Sequence, residues 1–500
     1  MLARVRSAAV FGIDATPVTI EVDISYGLPG LTIVGLPDAS VRESRDRIRS
    51  AVRNSGFDFP KHRIVVNLAP ADVRKAGTSF DLPIAVGVLA AAGVIERRCV
   101  DDVLILGELS LDGGILPARG VLPIAASARK RRFKGLLLPT SNSEEAAVVD
   151  GLEFHPVASL TEAVRALNDP RPVALQPGPP CDLADTGLGD FSEVRGQAAA
   201  RRALEIAAAG GHNVLLSGPP GSGKTMMARR TAGILPVLEF DEALEVTAIH
   251  SVAGLLPAGA GLLRSRPFRA PHHTVSDVAL AGGGSNPRPG EISLAHNGVL
   301  FLDEMPEFSR HALEVLRQPL EEGVVRIARA QRTAVFPARF VLIGAMNPCP
   351  CGFLGDPKRE CRCTPTQIDR YGARLSGPLR DRIDLTVPVT ALPPRELTAT
   401  DEAEPTSTIR FRVVAAREIQ KGRNPETRVL TNARLGPRAL RKVCRLDTRT
   451  ERLLHDAAEK LGLTARAFDR ILRVSRTIAD LAGSERVAYE HVAEAIQYRG

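Results

Sequence analysis

The sequence predicts a multidomain protein: an α+β domain at the N-terminus, an α/β P-loop core on a parallel sheet, and an all-α lid at the C-terminus. Three observations carry this expectation. A glycine-rich turn follows a short apolar strand near the middle of the 500 residues. Two proline-rich breaks, residues 168–189 and 391–408, lack periodicity and read as linkers. Beyond the second break the composition shifts towards arginine. The expected division is therefore 1–168, a linker at 169–189, a core at 190–390, a linker at 391–408, and a lid at 409–500.

The N-terminal segment has strand-like runs at 18–24 and 31–34, a charged helix at 41–55 and a strand at 63–68. The next helix, 84–92, is apolar on most faces and should be buried. This order of strands and helices suggests an α+β fold.

The core opens with GGHNVLLSGPPGSGKT, ending at Thr225. Val214, Leu215 and Leu216 form a strand that enters the turn Gly218, Pro219, Pro220, Gly221, Ser222, Gly223. Glycines let backbone N–H groups converge on phosphate oxygens, Lys224 supplies a cation to the β/γ-phosphates, and Thr225 offers a hydroxyl to Mg²⁺. A second run, GVLFLDE, ends in Asp303 and Glu304, which would hold the metal and polarise a water. A third, FVLIGAM, ends in Asn347, whose amide could position that water near the γ-phosphate. Three strand ends bearing these groups in this order point to one ATP·Mg²⁺ site at the carboxyl edge of a parallel sheet.

Cys349, Cys351, Cys361 and Cys363 form C-x-C-x9-C-x-C. Four thiolates so close suit a structural zinc ion, although the spacing is tighter than usual; the alternative is a reduced cysteine-rich loop. Cys99, Cys181 and Cys444 look incidental. His272 and His273, without neighbouring carboxylates in sequence, should hydrogen-bond or stack within a loop.

Composition narrows the class further. Hydrophobic residues make up 44% and charged residues 24%, as in a globular protein. The longest apolar run, 84–95, is too short to span a bilayer, so no membrane partner is expected. No leader pattern opens the chain, and seven cysteines do not suggest a disulfide framework; a cytoplasmic location is expected. The formal charge is +8, yet residues 409–500 carry 20 Lys and Arg against 11 Asp and Glu, a surplus larger than that of the whole chain. Such a segment suits DNA or another polyanion; it is equally compatible with a solvated helical face.

Long motifs support a specific resemblance. RAPHHTVSDVALAGGGSNPRPGEISLAHNGVLFLDE, IGAMNPCPCG, LSGPLRDRIDL and LTARAFDRILRVSRTIADL resemble AAA+ ATPases of the magnesium-chelatase/MCM type. The closest likeness is to the YifB/ComM family, which carries a Lon-protease-like domain in front, and it covers essentially the whole chain. The resemblance implies a pore-facing insertion at 270–289 and a pore-facing hairpin at 324–335 with Arg326, Arg329 and Arg332. It implies an arginine finger that reaches the neighbouring subunit, assigned to Arg382 with Arg380 as the alternative, and a sensor arginine at Arg466. Arg470, Arg473 and Arg476 read as surface charge. In the Lon-like segment Ser79 matches the family's serine turn, whereas Leu122 stands where the dyad lysine is expected; a scaffold or binding role follows.

The function so implied is a ring-forming, hexameric homo-oligomer that couples ATP hydrolysis to DNA translocation, with helicase or branch-migration activity in recombination of transforming DNA. Its rivals are a chelatase-like or chaperone-like motor acting on a protein partner, a Lon-like ATP-dependent peptidase, which the Leu122 substitution disfavours, and a nucleotide switch, which the complete Asp303–Glu304 pair disfavours.

Overall fold

The computed structural model describes residues 1–71, 75, 77–182, 189–257, 259–284, 287–328, 333–356, 359–391, 403–423 and 431–499. Arg329 and Arg332 lie outside them, as do the greater part of the second linker and part of the first.

Alternating burial along LARVRSAAVF makes Leu2–Phe11 a strand that the sequence reading left out. It pairs antiparallel with Asp14–Ser25 over its whole length. The two sit inside a mixed seven-stranded sheet ordered Gly30–Val34, Arg63–Ala69, Asp14–Ser25, Leu2–Phe11, Val103–Ile105, Gly135–Pro139, Glu153–Val157. The expected apolar helix is Asp81–Ala91, and every residue of it is buried. Gly87 permits its close approach: a Cβ there would lie 2.6 Å from Val22 Cγ2. At the helix start Asp81, itself buried, receives Arg47 Nε at 2.9 Å and the Ser44 hydroxyl. Burial nevertheless holds its carboxyl above the ordinary range.

The central sheet is all-parallel, in the order Phe268–Arg269, Val299–Leu302, Val341–Met346, Val214–Ser217, Leu385–Pro388. The three central strands, buried on both faces, read as continuous apolar runs. Register sets Ser217 beside Met346 and Leu302 beside Gly344, so three strand ends open on one edge.

The C-terminal helices Thr406–Arg423, Pro437–Val443, Thr448–Lys460, Ala465–Leu481 and Tyr489–Gln497 share a single apolar cluster with the P-loop strand and the helices Ala198–Gly210 and Lys224–Ile234. The first of them begins at Thr406, inside the second linker as read from sequence. Asp190 clips it down: its carboxylate accepts Ser192 N–H at 2.8 Å and Thr406 N–H at 3.1 Å, which lowers its pKa to about 2.

The arginines read as surface charge are not on the surface. Arg476 is 1% exposed and ion-paired to Asp480, Arg470 lies 3.6 Å from the largely buried carboxylate of Asp384, and Arg473 donates to the Leu435 carbonyl at 3.1 Å. Charge alone gave no sign of this, because helical periodicity tracks apolar residues and these guanidiniums face acceptors within the lid and the core.

The N-terminal domain is fastened to the core. Buried Glu145 accepts the Leu122 N–H at 2.9 Å, the Asn142 amide at 3.1 Å, and the Ser251 hydroxyl from the core helix Phe240–Ala253. Phe11 and Ile13, at the tip of the first hairpin, pack into the cluster under the hairpin strands Val324–Ala328 and Thr333–Pro337.

Candidate functional site

Gly221 and Gly223 adopt φ values of 77° and 90°, the left-handed region that curls the loop and starts the helix Lys224–Ile234. Gly218 is needed for a different reason: a Cβ there would stand 2.0 Å from the Val389 carbonyl oxygen. Lys224 Nζ lies inside this curl, donating to the Gly218 and Pro219 carbonyls at 2.7 and 2.9 Å and standing 3.5 Å from Asn347 Oδ1. Burial lowers its pKa, while Asp303 and Glu304 pull it back up. The Thr225 hydroxyl donates to Asp303 Oδ2 at 2.6 Å.

The structure thus brings together Lys224, Thr225, Asp303 and Asn347 as the sequence anticipates. Their chemistry fits a nucleoside triphosphate with Mg²⁺. Ser222 Oγ is buried without a hydrogen-bond partner, the buried ammonium meets only neutral oxygens, and the hydroxyl–carboxylate pair offers hard oxygen ligands. Glu304 follows in a left-handed conformation, φ 49° and ψ 45°, with its N–H on Asp303 Oδ1 at 3.0 Å. A non-glycine residue held there is a common mark of a functional turn.

Two neighbours were not legible in sequence. His273 Nδ1 stands 3.6 Å from Glu304 Oε2, and its ring meets the edge of Phe308 at 6.5 Å between centroids. Of the expected hydrogen bonding or stacking, His272 Nδ1 shares a hydrogen bond with the Thr274 hydroxyl at 2.9 Å, and its ring lies 4.1 Å from that of His273, tilted by 34°. Tyr371 is buried with its hydroxyl against the Asn347 backbone, and burial raises its pKa.

Arg382, Arg380 and Arg466 lie apart from this cluster among the described residues. The Arg382 carbonyl accepts Asn213 Nδ2 at 2.9 Å, at the amino end of the P-loop strand and so at the opposite edge of the sheet from Lys224. Its guanidinium pairs with Glu321 and is only 12% exposed. Arg380 is exposed and donates to the Gly372 carbonyl. Arg466 is exposed in the first turn of the helix Ala465–Leu481, which Thr464 caps at 3.2 Å.

The four cysteines do converge. All four sulfurs lie within 4.8 Å of one another, with Cys349–Cys351, Cys349–Cys361 and Cys351–Cys361 at 3.3, 3.7 and 3.6 Å. Four sulfurs held at about 2.3 Å from one zinc ion stand about 3.8 Å apart, so the donor set fits a tetrahedral metal. Backbone N–H groups of Phe353 and Arg362 lower the Cys351 pKa to about 6.

Ser79 sits in the single turn Thr78–Phe80 beside a cleft of about 600 Å³ between the N-terminal domain and the core, lined also by Thr78, Glu108, Arg119 and Arg288. Leu122 is 1% exposed within an apolar cluster.

Family models described as Magnesium chelatase, subunit ChlI, as Subunit ChlI of Mg-chelatase, and as Magnesium chelatase, subunit ChlI C-terminal match residues 190–397, 20–142 and 403–499. YifB of Salmonella typhimurium is 44% identical over all of this chain and 97% of its own length. Competence protein ComM of Haemophilus influenzae has the same identity and coverage. The chain belongs to the YifB/ComM family. The magnesium-chelatase 38 kDa subunit of Rhodobacter capsulatus is a more distant relative, 27% identical over 36% of this chain and 54% of its own. The YifB/ComM likeness therefore spans the N-terminal domain, core and lid together. Among the described residues no helix is long and apolar enough to cross a membrane.

Proposed function

We propose that this YifB/ComM protein is a ring-forming AAA+ ATPase, acting as a hexamer, that moves DNA through its pore and drives strand displacement or branch migration. The observation that carries the ATPase is the meeting of Lys224, Thr225, Asp303, Glu304 and Asn347 on one sheet edge. Bound Mg²⁺ would neutralise phosphate charge and orient the triphosphate. Lys224 binds the β/γ-phosphates, Thr225 and Asp303 hold the metal, Glu304 takes a proton from the attacking water, and Asn347 orients it. Arg382 or Arg380 completes the site from the next subunit. The sheet separates Arg382 from its own P-loop, which supports action in trans, and Arg380 has the freer side chain. Arg466 acts as the lid sensor. Zinc at the four cysteines is structural.

DNA as the partner is in keeping with a relative named a competence protein, and is supported by the hairpin, where Arg326 is exposed although paired with Glu322. The basic lid supports it less than its composition suggests, since Arg470 and Arg476 serve internal contacts.

Steady-state hydrolysis with and without forked DNA, with Glu304→Gln as the blank, tests the proposal. DNA should raise the rate several-fold while the blank stays flat. A rate indifferent to DNA favours the second reading, a motor that remodels a protein partner, which the magnesium-chelatase family models support.

A further inference from the structure

The cysteine loop and the nucleotide pocket meet at three points. Cys349 follows Asn347 by two residues, so the strand that ends in the sensor amide runs directly into the first sulfur. At the loop's other end Cys363 precedes Thr364, which caps the helix Pro365–Ala373, and Tyr371 of that helix sets its hydroxyl against the Asn347 backbone. Both ends of the loop therefore bear on one residue. Between them Gly352, at φ 83°, lies so close to the P-loop that a Cβ would stand 2.7 Å from Pro220 Cδ and 3.9 Å from Asn347 Cγ. The same helix also supplies the Gly372 carbonyl that holds Arg380.

We propose that a metal held by Cys349, Cys351, Cys361 and Cys363 is the brace that lets the pocket tell a nucleoside triphosphate from a diphosphate, acting through Asn347 and Tyr371. This rests on the readings of the P-loop as a nucleotide site and of the cysteines as a metal site. Closing residues 349–363 on one ion removes the freedom of a 15-residue loop and fixes the spacing between the strand end and the helix. The amide so fixed, Asn347 Oδ1, lies 3.5 Å from Nζ of Lys224, the cation that on this reading meets the β/γ-phosphates. A diphosphate is held by the loop backbone and Lys224 and does not need Asn347. The brace thus acts on the terminal phosphate alone.

The test uses the full chain, stripped of metal with a chelator, returned to Mg²⁺, and titrated with Co²⁺, whose thiolate absorption reads occupancy independently of activity. Affinities for a non-hydrolysable ATP analogue and for ADP are then compared in the stripped, cobalt and zinc forms, with Lys224→Ala as the control for the P-loop. Stripping should weaken the analogue about tenfold, as loss of one or two positioned hydrogen bonds does, and leave ADP within about twofold. Zinc should restore the difference, Cys361→Ser should reproduce its loss, and in Asn347→Ala the metal should have no effect on the ratio. Cobalt left without thiolate absorption overturns the metal site itself. Cobalt taken up with an unchanged ratio, or with equal losses for both nucleotides, overturns the brace and leaves the metal site standing. Unchanged ADP binding in Lys224→Ala overturns the P-loop reading separately.

Discussion

Glu304 is held in a left-handed turn with His273 at 3.6 Å, so its carboxylate has a neighbour able to fix its direction. Replacing His273 with leucine should lower kcat by about tenfold with KM little changed, whereas asparagine, which keeps a donor, should recover part of the loss. An effect on KM alone would leave His273 a loop residue. Lys224 makes a second prediction. Burial places its pKa below the ordinary lysine value of 10.5, and triphosphate favours the charged form. In the free protein the charge is present below the lowered value and lost as pH rises through it. ATP affinity should therefore fall at a pH below 10.5, and more steeply than ADP affinity, in a fluorescence titration. The residues of the P-loop and of the Asp303 strand end were legible because fixed spacing after an apolar strand encodes them. His273 was not, because 31 positions separate it from Glu304 and only the fold joins them.

At the scale of elements, the lid helix Ala465–Leu481 shows what patterning leaves out. Its apolar stripe was legible, but part of its polar face, Arg476, Thr477 and Asp480, is buried as well. Thr477 bonds His212 at 2.8 Å and Asn432 at 3.1 Å, and Asp480 receives Asn432 at 2.7 Å together with Arg423 and Arg476. Asp480→Ala would leave two guanidiniums without their carboxylate. We expect a loss of about 3–5 kcal/mol in chemical denaturation, the cost of a broken buried ion pair. A loss below about 1 kcal/mol would place this pairing among surface salt bridges instead. The strand Leu2–Phe11 was missed for a simpler reason: its alternation is carried by small residues, Ala3, Ser7 and Ala9, which a hydropathy pattern barely registers. The helix starting at Thr406 was hidden by the proline and acidic residues just before it.

For the whole molecule, the order of three parts was readable because breaks and composition mark it. How the parts touch was not. The N-terminal domain meets the core through a buried carboxylate, Glu145, and through the tip of its first hairpin, where a Cβ on Gly12 would lie 3.3 Å from the Val335 carbonyl oxygen. A tether between the paired changes Gly12→Cys and Val335→Cys should leave basal ATP hydrolysis intact and abolish its stimulation by DNA, with reduction restoring it. Stimulation that survives the tether would mean that the two hairpins need not move apart.

That contact has a mechanical consequence. The ten residues from Leu2 to Phe11 run as one strand, about 33 Å long, paired throughout with its neighbour. A paired strand of that length neither stretches nor folds under small loads. It suits the role of a push-rod: a displacement of the paired strands Val324–Ala328 and Thr333–Pro337 would be carried along it, away from the hairpin tip, towards its other end at Leu2.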